Sequence, residues 1–239
     1  MQIKEHQKEI NKNGFTIIDN IFSGEEVTDI VSAIENADTS KQTFRKSADL
    51  FAIRQFIKDV PEVAPLIFIQ KMNDLINELF GVGYFVVKSI YFDKPQGSNW
   101  FVAYHQDLTI SVDRKASLEG YGSWTVKQDQ FAVQPPIAIL ESNFTIRIHL
   151  DATTEHNGAL RVIPGSHLKG VYRTETIDWS VETETTCRVG KGGVMIMKPL
   201  LLHASGKTTN SRKRRVIHIE FSNQLLPAPI SWAELYHLS

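Results

Sequence analysis

The 239-residue chain is 42% hydrophobic and sets 26 basic against 27 acidic side chains, for a formal charge of −1. That is enough apolar material for a full core in one domain, and it leaves no net field to favour nucleic acid or an anionic membrane. A single cysteine, Cys187, excludes disulfide frameworks and cysteine-rich zinc or iron–sulfur patterns, so any metal must be held by nitrogen and oxygen.

The start of the chain is polar and lacks an apolar signal core, and no uninterrupted apolar run has bilayer length, so a soluble protein of the reducing cytoplasm is expected. A polar helical lead is predicted to end near Asn13-Gly14, followed by a short β-branched and aromatic strand at Phe15–Ile18. Ser23-Gly24-Glu25-Glu26 has the S-x-x-E form of a capping box, and Val27, Ile30, Val31 and Ile34 continue at helical spacing. A second helix is predicted over about residues 62–80, where Leu66, Ile69, Met72, Ile76 and Leu79 recur and Gly81 can close the end.

Beyond Tyr84 the pattern changes to short strands and turns. Residues 84–92 read as a strand, followed by a turn at Lys94-Pro-Gln-Gly97. Residues 111–136 have no clear period and read as a functional loop or lid. Further strands are predicted at 143–150, 159–163, 186–189, 194–197, 200–203 and 215–221, with Asn157-Gly158 and Gly192-Gly193 as hairpin-type turns. Helices first and many short strands afterwards predict a mainly β fold, a double-stranded β-helix or cupin-like jelly roll. Helical support over about 1–82 and a core over about 83–222 make one domain spanning 1–239.

His105-Gln106-Asp107 is the most informative local pattern. On extended backbone, residues two apart share a face, so an imidazole and a carboxylate point the same way. With His203 from a remote strand they make two histidines and one carboxylate, the open set that holds non-heme Fe(II). The apolar neighbours in residues 102–110 imply burial, which is costly for a carboxylate without a cation. The competing reading is a hydrogen-bonded His–Asp pair.

Arg214 adds an independent line. A dicarboxylate calls for a planar, permanently charged fork, which lysine does not supply. A hairpin from His203 through residues 207–213 would return the chain roughly 5 Å away, opening His203 and Arg214 into one cavity, with Ser205 on the same face. Arg212 and Lys213 read as a solvated turn.

The HxD pair, the distal histidine, the arginine eleven residues after it, and Asn157-Gly-Ala-Leu-Arg-Val-Ile-Pro-Gly-Ser-His167 together resemble the phytanoyl-CoA dioxygenase family over most of the chain. The resemblance implies an Fe(II)- and 2-oxoglutarate-dependent dioxygenase in a double-stranded β-helix. His105, Asp107 and His203 would be iron ligands, Arg214 the co-substrate arginine, and Ser205 and Lys88 further contacts to 2-oxoglutarate. Residues 157–167 would be loop support, with His167 off the metal. O2 would be consumed, succinate and CO2 released, and a small-molecule metabolite hydroxylated. The carboxylate of Asp107 favours hydroxylation, because related halogenating enzymes leave its position to halide.

Two other readings are a zinc hydrolase using the same ligands to activate water, and a non-catalytic binding module that keeps the ligands without turnover. Substrate contacts are less defined. Trp100, Phe101, Tyr104, Trp124 and Phe131 are candidates for an apolar wall, and Lys127, Gln128 and Arg147 for a polar group, each against a packing or salt-bridge alternative. His149 and His218 are expected to be core or supporting histidines, and Cys187 a small buried hydrophobe.

Overall fold

The computed structural model describes residues 3–38, 40, 43–46, 51–96, 98, 100–127 and 130–238, with the side chains of 45, 46 and 127 outside that description. In chain order the elements begin with α1 (Ile3–Asn13), β1 (Phe15–Ile18), α2 (Gly24–Glu35), β2 (Phe44–Lys46) and β3 (Phe51–Arg54). Three short helices follow, α3 (Phe56–Asp59), α4 (Ala64–Ile67) and α5 (Gln70–Phe80), then β4 (Phe85–Lys94), β5 (Val102–His105), β6 (Ile110–Val112), β7 (Gly122–Lys127) and β8 (Gln130–Gln134). The rest comprises α6 (Ile137–Ser142), β9 (Phe144–His149), β10 (Leu160–Val162), β11 (Thr185–Cys187), β12 (Val194–Met197), β13 (His203–Ser205), β14 (Arg214–Ser222) and β15 (Tyr236–His237).

The strands build two principal antiparallel sheets. The larger runs β1-β12-β9-β14-β4-β3-β2, with β15 also on β4, and the smaller runs β11-β10-β13-β5. This is the jelly-roll arrangement expected from the sequence. One face of the large sheet packs on the helices: Ile217, Ile219 and Phe221 of β14 and Ile146 and Ile148 of β9 join Ile30, Phe56, Ile67 and Leu75 in one core. The alternate residues of the same strands, among them Arg214, His218 and Arg147, line the cavity on the other face. Ser23 caps α2 as predicted, with Glu26 returning the bond to the Ser23 N–H. No described helix is long and apolar enough to cross a membrane.

Several expectations need correction. The helix predicted over 62–80 is broken. Phe68 leaves the helical path to stack on Tyr236, with ring centroids 5.2 Å apart, and to meet Phe221 edge-on. The Asn73 side chain donates to the Phe68 carbonyl, so a tertiary contact overrides the periodic signal. The region predicted as a loop over 111–136 is largely a third antiparallel sheet, β6-β8-β7, packed around Val112, Val133 and Trp232. The Leu200-Leu-Leu run is a turn, and the strand starts at His203. Asn157-Gly158 and Gly192-Gly193 are turns between strands of different sheets, β9 to β10 and β11 to β12, so neither closes a hairpin. The same holds for His203 and Arg214, which lie in opposing sheets. Gly97 in the predicted turn lies outside the described residues.

Candidate metal centre

His105 is the last residue of β5 and His203 the first of β13, paired directly across the small sheet. Their rings lie 4.2 Å apart, centroid to centroid. Asp107 follows beyond the strand end, where its N–H donates to Pro199 O at 2.9 Å. The carboxylate faces both imidazoles, with Nε2 of His105 3.9 Å from Oδ1 and Nε2 of His203 3.9 Å from Oδ2.

Those separations are too long for hydrogen bonds. The tautomers say the same. His105 Nδ1 lies 2.9 Å from Ala103 O and His203 Nδ1 2.9 Å from Leu201 O, and since a carbonyl can only accept, each Nδ1 carries the proton. Both Nε2 lone pairs then face a carboxylate, whose Oδ2 is buried without a hydrogen-bond partner among the described residues. Lone pair against anion is repulsive unless a cation lies between, so the geometry fits a metal and disfavours the His–Asp pair. Burial pushes His203 down to about 4, which keeps it in the neutral, ligating form. Burial also opposes ionisation of Asp107, but the fields of His203, His218, Lys88 and His105 hold its carboxyl well below the usual range.

Gln106, between the two ligands, is a supporting residue that spacing alone did not reveal. Its Nε2 donates to Leu200 O at 2.6 Å and Gly170 O at 2.8 Å, and its Oε1 accepts from the Tyr172 N–H at 2.8 Å. The HxD segment is thereby fastened to the turn that delivers His203. Ser166 does the same from the other side, its Oγ accepting from Leu202 N–H. Its neighbour His167 points away, with Nε2 3.2 Å from Asn11 O; of the 157–167 stretch expected as loop support, Leu160–Val162 is instead the strand β10 of the small sheet, and the turns lie on either side of it.

A cavity of about 270 Å³ opens over these three side chains and is also lined by Ser205, Arg214, Arg147 and Lys88. Arg214 is 3% exposed and donates through Nη1 to Gly158 O, while its Nε has no hydrogen-bond partner among the described residues. Burial, reinforced by Arg147, pushes it down to about 9, and no carboxylate among the described residues pairs with it. Arg215 is on the opposite face, gripping Asp151 through Nε at 2.9 Å and Nη2 at 2.8 Å. Of the two, Arg214 is the one that faces the cavity.

Lys88 donates to Glu220 at 2.6 Å, and His218 Nε2 lies 3.1 Å from the same oxygen. Arg147 Nη1 lies 3.0 Å from His218 Nδ1, and since arginine only donates, His218 accepts there and carries its proton on Nε2. Asp107, His218 and Glu220 also lie close enough together to suggest a second metal group. It is unsuited, because both His218 nitrogens are already engaged.

Among the aromatic candidates, Trp100 lines the cavity beside Phe92. Phe101 is largely exposed, Tyr104 donates to Glu184 and packs on Trp179, and Trp124 and Phe131 belong to the cluster around β6 and β8. The Lys127 side chain and Gln128 lie outside the described residues. His149 is buried against Thr153, and burial pushes the Cys187 thiol up to about 12, consistent with an inert core residue.

A jelly roll whose mouth gathers two imidazoles, a carboxylate and a buried arginine has the architecture of the iron- and 2-oxoglutarate-dependent oxygenases. The sequence profile of phytanoyl-CoA dioxygenase (PhyH) matches residues 10–216, and the chain belongs to that family of 2-oxoglutarate-dependent dioxygenases, which use Fe(II), 2-oxoglutarate and O2. It is 23% identical to a probable alpha-ketoglutarate-dependent hypophosphite dioxygenase of Stutzerimonas stutzeri, over 91% of this chain and 78% of that protein. Similar solved structures include EctD from S. alaskensis with bound Fe, at TM-score 0.72 and 18% identity, covering 94% of this chain and 79% of that one. Another is the epimerase SnoN with Fe3+, alpha-ketoglutarate and nogalamycin RO, at TM-score 0.69 and 11% identity, covering 99% and 95%.

Proposed function

We propose that the chain hydroxylates a small molecule at the cavity over His105, Asp107 and His203, with these three residues holding the iron. The observation that carries this reading is the pair of Nδ1-pinned imidazoles whose lone pairs converge on a partnerless buried carboxylate oxygen. Bound there, Fe(II) with 2-oxoglutarate couples reduction of O2 to release of succinate and CO2, with one oxygen atom passing to the substrate.

Arg214 receives the distal carboxylate of 2-oxoglutarate. A buried guanidinium without an anion is costly in the ligand-free protein, and the dicarboxylate supplies the missing charge. Ser205, 3% exposed and on the same cavity, adds a hydroxyl donor. Lys88 is a weaker contact because its ammonium is shared with Glu220. Ile90, Phe92, Trp100, Val102 and Leu160 form the apolar wall that orients the substrate and excludes water. A zinc hydrolase would leave Arg214 unexplained.

The test is anaerobic addition of Fe(II) and then 2-oxoglutarate, watched for a metal-to-ligand charge-transfer band, followed by succinate release in air across a small-molecule panel. The band should appear, and succinate should rise with a productive substrate. Folded protein without the band would refute the assignment.

A further inference from the structure

Arg147 carries a charge that the chemistry above does not use. It sits in mid-β9, 7% exposed, opposite His218 of β14, and lines the cavity with the proposed ligands. Its Nη1 donates to a neutral imidazole, which offers no negative charge, and its Nε has no hydrogen-bond partner among the described residues. The neighbouring carboxylates are committed elsewhere, Glu220 to Lys88 and Asp107 to the metal set. Burial lowers Arg147 only to about 10, so the guanidinium is charged at neutral pH. An unmatched buried cation is destabilising by itself and makes sense where an anion arrives.

Arg214 does not cover this role. It lies four residues before His218 on β14, roughly 13 Å along the strand, so the two arginines are rooted at different levels of the cavity. On the reading above, the co-substrate places one carboxylate at the metal and the other at Arg214, leaving Arg147 for a third negative group. Resting on that reading, we infer that the substrate is itself a small anion, carrying a carboxylate or a phosphorus or sulfur oxyanion that docks on Arg147. Arg147 then determines specificity by fixing which atom of the substrate faces the metal, while the apolar wall receives the uncharged body.

The experiment uses the full chain loaded anaerobically with Fe(II) and 2-oxoglutarate, titrated calorimetrically with acetate, inorganic phosphate and inorganic sulfate as probes. At least one probe should bind saturably. In Arg147→Gln and Arg147→Met its affinity should fall about tenfold or more, with the charge-transfer band and its 2-oxoglutarate midpoint unchanged. Should neither variant fold, Arg147→Lys, which keeps the charge but not the fork, supplies the comparison, with an intermediate loss expected. A wild type that binds no probe, or variants that bind as well as the wild type, would overturn the inference. So would variants that keep iron but lose the band, which would give Arg147 to the co-substrate. Absence of the band in the wild type would be a different failure, that of the proposed function, and would take this inference with it.

Discussion

His105 and His203 face each other across paired strands, ring centroids 4.2 Å apart, each with Nδ1 bound to the carbonyl two residues earlier. The shared device fixes both tautomers before any metal arrives and leaves Asp107 as the group whose charge the ion must satisfy. Metal binding should therefore stabilise the fold, by about 2.7 kcal/mol at a hundredfold excess over Kd. For a chain of this size that raises Tm by about 5–10 °C. Asp107→Ala should abolish the shift, since it removes the one carboxylate of the proposed ligand set. A thermal melt with and without Fe(II) under argon checks both; a retained shift in the variant would place the metal elsewhere.

Adjacent arginines on opposite faces of β14 should behave oppositely. Arg214→Met is expected to weaken 2-oxoglutarate binding about tenfold or more while leaving metal-free stability unchanged or higher. Arg215→Met breaks the two-pronged contact with Asp151 and should cost about 1–3 kcal/mol of stability with little effect on co-substrate affinity. Charge-transfer titration and denaturant unfolding of both variants separate the roles, and an exchange of the two outcomes would reverse the assignment.

What could be read directly from the chain was whatever depends on local chemistry: the HxD spacing, the Ser23 capping box, and the arginine eleven residues after the distal histidine. What depends on remote packing was hidden. The break at Phe68 is set by Tyr236, far along the chain, and the third sheet forms where β6 and β8 pair across a stretch with no clean alternation. The turn from His203 to Arg214 looks like a hairpin because its length suits one, yet it crosses between sheets. Arg147 could be named from the sequence only as one candidate for a polar group beside a salt-bridge alternative, because its unmatched charge follows from how His218, Glu220 and Lys88 satisfy one another on neighbouring strands.

Gln106 tests whether the HxD segment needs its middle residue. Gln106→Leu keeps the volume but leaves Gly170 O, Leu200 O and the Tyr172 N–H without this partner, at about 1–3 kcal/mol for each group that stays buried and unsatisfied. Because the lost bonds tie the ligand segment to the turn before His203, metal affinity should fall about 10–100-fold. Gln106→Glu, which turns donors into acceptors facing two carbonyls, should do no better. Calorimetric metal titration decides, and wild-type affinity in Gln106→Leu would reduce the residue to a packing role.

Gly158 is the backbone counterpart of Arg214. Its φ is +85°, and a Cβ there would lie 2.9 Å from Lys94 Nζ and 3.0 Å from Gly206 O, a pair already bonded to each other at 2.7 Å. Its carbonyl is the acceptor that holds the Arg214 guanidinium. Gly158→Ala adds left-handed backbone strain of about 1 kcal/mol or more, together with a steric push on that carbonyl. The variant should lose 2-oxoglutarate affinity while keeping metal affinity. Gly206→Ala, where a Cβ meets nothing within 4 Å, is the matched control and should change neither. Equal co-substrate binding by both variants would mean that Arg214 is positioned without Gly158.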